Sequence, residues 1–122
     1  MIGYVTLGTN DFARAAKFYD ALLAEFGAKR AMEMETFIAW ANTPGAPMVA
    51  IIKPYDKKAA TVGNGMMVAL AATSKQQVDK IYKKAIELGG KDEGPPGPRG
   101  AGFYAGYFRD LDGNKLNAFF IG

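Results

Sequence analysis

Residues 107–120 read YFRDLDGNKLNAFF, and this stretch carries most of the information about the fold. Two apolar runs, Gly102–Arg109 and Lys115–Ile121, flank Asp110-Leu111-Asp112-Gly113-Asn114. Asp-Gly and Gly-Asn steps between apolar runs signal a β-hairpin, because these residues accept the backbone conformations that a tight turn requires. Working outward, Met66–Ala72 reads as an apolar strand, and Ser74 followed by Gln77 has the spacing of a capping box. Val78, Ile81, Tyr82, Ala85 and Leu88 then form a helical apolar stripe that stops at Gly89-Gly90. A short strand is expected at Lys91–Glu93, followed by a loop over Gly94-Pro95-Pro96-Gly97-Pro98-Arg99-Gly100.

The first half has the same order of elements. Ile2–Leu7 reads as a strand, and Asn10 or Asp11 can cap a helix over about residues 11–26, whose stripe is Phe12, Ala15, Ala16, Tyr19, Leu22, Leu23 and Phe26. Gly27 ends that helix, and strands are expected near Ala28–Met34, Thr36–Ala41 and Pro47–Lys53, the last two joined by Thr43-Pro44-Gly45-Ala46. Tyr19 and Tyr82 lie 63 residues apart, as do Gly27 and Gly90, while the turns at Gly45 and Gly113 lie 68 apart. This internal duplication predicts an α+β fold of two βαβββ modules, about 1–53 and 66–122, joined by the polar linker 54–65 in a single domain of residues 1–122.

The 122 residues are 49% hydrophobic and contain neither cysteine nor histidine. Disulfides, a thiolate nucleophile, an imidazole general base and a histidine metal ligand are therefore excluded, which leaves Tyr, Lys, Arg, carboxylates, amides and backbone for any chemistry. The absence of cysteine fits a reducing compartment. A net charge of +3, spread over lysines interspersed with acids, reads as a solvated surface rather than a nucleic-acid footprint. The opening MIGYVTLGTNDF lacks a leading basic segment, and no window approaches the roughly 18 apolar residues of a membrane span. A soluble cytoplasmic protein that engages neither membrane nor nucleic acid is the expectation.

The opening IGYVTLGTNDFARAAKFYDALLAEFGA and the closing YFRDLDGNKLNAFF resemble the vicinal oxygen chelate superfamily, the glyoxalase, bleomycin-resistance and extradiol-dioxygenase group. The resemblance implies that the two module sheets curl into an open cup with both helices outside, and that many relatives pair as homodimers. It also implies four metal-ligand positions, normally His or Glu, which fall at Tyr4, Val49, Met67 and Asn117. A phenol, an aliphatic chain, a thioether and a neutral amide do not make a site for a hard or borderline cation, so no metal and no cofactor is expected.

Alternation along the strands then places Tyr4, Thr6, Val49, Ile51, Met67, Ala69, Ala71, Asn117 and Phe119 toward the cup. This apolar lining with a few polar handles suits a small organic ligand, and Arg99 in the Pro-Gly loop is the expected lid cation. Asn117 stands out, since a buried amide in mid-strand needs up to four hydrogen-bond partners. Arg109, beside Asp110 and Asp112, is expected to brace the turn. Three functions stay open: metal-free binding or sequestration of a small molecule; a lyase or isomerase using Tyr4 as proton donor with Asn117 polarising a carbonyl; and an interaction module with a filled cup.

Overall fold

The computed structural model describes residues 1–122 and is α+β: two βαβββ units, each a four-stranded mixed sheet with one helix. The compact units are Met1–Val62 and Gly63–Gly122. The first contains β1 (Tyr4–Gly8), α1 (Phe12–Ala24), β2 (Lys29–Met34), β3 (Phe37–Ala41) and β4 (Met48–Ile52), in sheet order β1-β4-β3-β2. The second contains β5 (Val68–Ala71), α2 (Lys75–Glu87), β6 (Lys91–Pro98), β7 (Phe103–Arg109) and β8 (Lys115–Ile121), in the equivalent order β5-β8-β7-β6. In both units the first strand pairs parallel with the last, and the other pairs are antiparallel. No helix is long and apolar enough to cross a membrane.

In the first unit the Asp11 carboxylate caps α1 by accepting from Arg14 N at 3.1 Å. The apolar stripe buries Ala15, Ala16, Phe18, Tyr19, Leu22 and Leu23. It packs on the sheet face that carries Leu7, Ile38, Trp40 and Ile51, all buried. Trp40 joins helix and sheet: its ring lies 5.8 Å from that of Tyr19, and its Nε1 donates to Asp20 Oδ1 at 2.9 Å. The same carboxylate accepts two hydrogen bonds from the Arg30 guanidinium, at 2.9 and 2.7 Å, and these hold Asp20 below the usual carboxylate range despite partial burial. Strand β2 is exposed along its whole length, and its Lys29, Arg30 and Glu33 place charge on an edge strand, which discourages pairing with other chains.

In the second unit Ser74 Oγ accepts from Gln77 N at 3.0 Å, but the reciprocal bond falls one residue early, Gln77 Oε1 accepting from Thr73 N at 2.7 Å. Ser74→Ala is expected to cost about 1 kcal/mol in urea unfolding, the usual value of an N-cap oxygen. Val78, Ile81 and Ala85 pack against the face that carries Leu70, Phe108, Leu116 and Ala118. The closing turn forms as the sequence predicts: Asp110 Oδ1 accepts from Asp112 N and Asn114 N at 2.9 Å each, and Arg109 Nη1 donates to Gly113 O at 3.0 Å.

One expected loop is strand. β6 runs through Pro98, so the Gly-Pro stretch is an edge strand with register shifts between Asp92 and Gly94 and between Gly94 and Gly97. Proline is admitted there because only one side of an edge strand must donate to a neighbour, and bulges absorb the missing N–H groups. Tyr82 of α2 ties to this strand, its hydroxyl donating to Asp92 Oδ1 at 2.7 Å. Burial, reinforced by Asp92, pushes the Tyr82 phenol up to about 12. The native state therefore keeps this proton where the unfolded chain loses it, and stability falls between about pH 10 and 12. Denaturation titrations should show that Tyr82→Phe flattens this part of the alkaline slope.

Candidate functional site

The sheet faces turned away from the helices hold most of the side chains that the sequence singled out. In the second unit, Asn117 of β8 lies opposite Ala69 of β5 on one side and Tyr107 of β7 on the other. Phe119 shares this face with Ala71 and Ala105, and its ring stacks on Phe103 at 5.5 Å between centroids, with the planes 4° apart. Ala69, Ala71, Asn117 and Phe119 thus share one face, as alternation predicts. Met67 immediately precedes β5 and is 42% exposed.

Asn117 is 1% exposed, and its Oδ1 has no hydrogen-bond partner. A buried carbonyl oxygen without a donor carries its full desolvation penalty, about 1–3 kcal/mol, and such groups are few in native proteins. The small side chain of Ala69 opposite provides no donor. The oxygen is closed to solvent as well as unpartnered, so a donor from outside reaches it only where the side chains around it move aside.

In the first unit, Tyr4 and Thr6 pair with Met48 and Ala50, whereas Val5 and Leu7 pair with Val49 and Ile51. The register corrects one expectation: Val49 and Ile51 lie on the α1 face of the sheet, and Ile51 is part of the core beneath that helix. The residue equivalent to Asn117 is Ala50, 67 positions earlier, and not Val49, 68 positions earlier. A repeat length taken from the two turns points to Val49 because one residue of that spacing belongs to the turns themselves; a one-residue slip moves every side chain to the opposite face, which brings Met48 and Ala50 to the Tyr4 face instead. Tyr4 meets Phe37 edge to face at 5.8 Å, and the same face exposes Met32 and Met34. Thioethers and aromatics of this kind make an adaptable apolar surface.

Arg99 follows β6. Its Nη2 donates to Pro95 O at 2.7 Å and its guanidinium lies 5.4 Å from the Tyr107 ring, so it covers Tyr107, the cross-strand neighbour of Asn117. Arg99 thus lies just past the edge strand, its N donating to Phe103 O at 2.7 Å, and only its guanidinium reaches the Asn117 row, over the Tyr107 ring. Arg109 braces the hairpin and pairs with Glu93 at 2.5 Å.

The residues do not fit a divalent metal. With the register corrected, the four positions are Tyr4, Ala50, Met67 and Asn117, and no three acidic side chains converge anywhere in the chain. An amide and a phenol with a thioether do not replace carboxylate or imidazole donors for a hard or borderline ion.

Two βαβββ units, together with the opening and closing motifs, define a class. The chain belongs to the Glyoxalase/Bleomycin resistance protein/Dioxygenase superfamily, whose family model matches residues 1–118. It is similar to a glyoxalase/bleomycin resistance protein from Albidiferax ferrireducens T118, with 36% identity over 98% of both chains and a TM-score of 0.90. A hypothetical protein from S. aureus is 25% identical over 98% of this chain and 92% of its own, with a TM-score of 0.75. A glyoxalase/bleomycin resistance protein/dioxygenase family enzyme from Burkholderia phytofirmans PsJN shares the fold at 17% identity, 98% coverage of both chains and a TM-score of 0.78. No curated protein matches the sequence significantly.

Proposed function

We propose that this glyoxalase/bleomycin-resistance-like protein binds, and so sequesters or carries, a small organic molecule without a metal. The ligand packs its apolar body on side chains such as Phe119 and Met67 and donates a hydrogen bond to Asn117 Oδ1. Tyr4 and Thr6 are the polar handles of the corresponding face in the first unit, and Arg99 borders the Asn117 row. The observation that carries the reading is the buried, unpartnered Asn117 oxygen. The ligand class that follows is an aromatic or acyl compound with a hydroxyl or N–H donor, since apolar sites gain orientation from a few placed polar groups. We place the protein in a reducing cytoplasm, as a homodimer; sedimentation should give twice the 13.1 kDa chain mass.

A thermal-shift screen tests the reading. A compound present at about 100 times its Kd stabilises by roughly 2.7 kcal/mol, and phenols, anilides and acyl amides are expected to supply hits, with ether and ester analogues lacking the donor falling silent. A flat response across the whole donor-bearing set contradicts it.

A further inference from the structure

A cleft of about 670 Å³ lies wholly within the first unit, at the C-terminal ends of the parallel strands β1 and β4, where α1 begins. Phe12, Ile52 and Pro54 give it a half-buried apolar floor, and Lys53, Lys57 and Lys58 carry its charge. Lys53 Nζ stands 5.4 Å from the centroid of the Phe12 ring, which holds the ammonium over the floor. None of the three ammonium groups is in an ion pair. Of the acids nearest in sequence, Asp11 caps α1 and lies 3.8 Å from Arg14, while Asp56 accepts from Lys58 N at 3.0 Å within the lysine segment and makes no ion pair with the three ammonium groups.

The wall is tied in place. Asn10 Nδ2 donates to Ala60 O at 3.1 Å while Ala60 N donates to Asn10 Oδ1 at 2.7 Å, so one side chain grips a whole peptide group and fixes the segment after β4 against the start of α1. Lys57 adopts φ 64°, a conformation that glycine reaches far more easily, yet lysine occupies it. Three unneutralised ammonium groups around an apolar floor are costly as a neighbourhood of like charges and favourable once an anion enters it.

We propose that this cleft is a binding site for a small organic anion, a carboxylate or phosphate monoester on a planar apolar body, with the anionic group among Lys53, Lys57 and Lys58 and the body against Phe12 and Ile52. The site is separate from the Asn117 face and does not rest on the function proposed above.

The test is an NMR titration of the full chain with phenyl phosphate, with benzoate, inorganic phosphate and phenol as parallel arms. Phenyl phosphate or benzoate is expected to shift the amides of Thr9, Asn10, Ile52, Lys53 and residues 55–58 saturably, whichever binds tighter identifying the anionic group. Inorganic phosphate and phenol should bind at least tenfold more weakly, because each supplies half of the recognition. The triple variant K53Q/K57Q/K58Q should lose at least tenfold in affinity at a melting temperature no lower than the parent's, whereas K80Q/K83Q on α2 should bind as the parent does. Lys57→Gly should raise the melting temperature and still weaken binding, separating the backbone role of this position from its charge. Shifts scattered over all lysines, or a triple variant with undiminished affinity, would overturn the proposal.

Discussion

Replacing Trp40 with alanine is expected to cost about 3–5 kcal/mol in urea unfolding, the usual range for truncating a fully buried large aromatic side chain. Trp40 is 1% exposed, touches Tyr19 across the helix–sheet interface and donates to Asp20. Its removal leaves a cavity beneath α1 and takes one of three donors from a carboxylate that is also held by Arg30. Trp40→Phe keeps most of the apolar contact and leaves the Arg30 pair to satisfy Asp20, so its loss should be clearly smaller. A Trp40→Ala cost below that of Ser74→Ala would show that this helix–sheet contact does not hold the first unit together.

Asn117→Leu is expected to act in the opposite direction, stabilising the ligand-free protein by about 1–3 kcal/mol. The substitution removes an acceptor that is buried without a donor and puts an apolar side chain of similar size in its place. The same substitution removes the group that the proposed ligand donates to. Stability and binding should therefore move apart, the pattern expected where a group is retained for function at the expense of stability. A core residue with satisfied hydrogen bonds would behave differently, its loss weakening the fold.

The duplicated architecture was legible because each signal is local. The Asp110–Asn114 turn, the Ser74 cap and the stripes of both helices depend on residues within a few positions of one another, and all appear where the pattern places them. The facing of Val49 and Ile51 was not legible, since it depends on the register between β1 and β4, strands separated by the whole of α1, β2 and β3. Gly94–Pro98 reads as a loop from composition, yet pairing with β7 makes it strand, because tertiary partners override local preference on a sheet edge. Asn117 could be flagged from sequence as a polar residue in an apolar strand, but its orphaned oxygen is a property of what surrounds it. The cationic cleft was equally hidden, as it assembles Phe12 and Ile52 with lysines from a segment that reads as a plain linker.

The most direct test of metal-free binding at the Asn117 face compares wild type and Asn117→Leu by isothermal titration with the strongest compound from the thermal-shift screen, after exhaustive treatment with a chelator. Chelation is expected to leave wild-type affinity unchanged, and Asn117→Leu to weaken binding about tenfold, the roughly 1.4 kcal/mol at the upper end of a neutral hydrogen bond's net worth, while the variant itself melts higher. Binding that vanishes on chelation, or that is the same in both proteins, would contradict it.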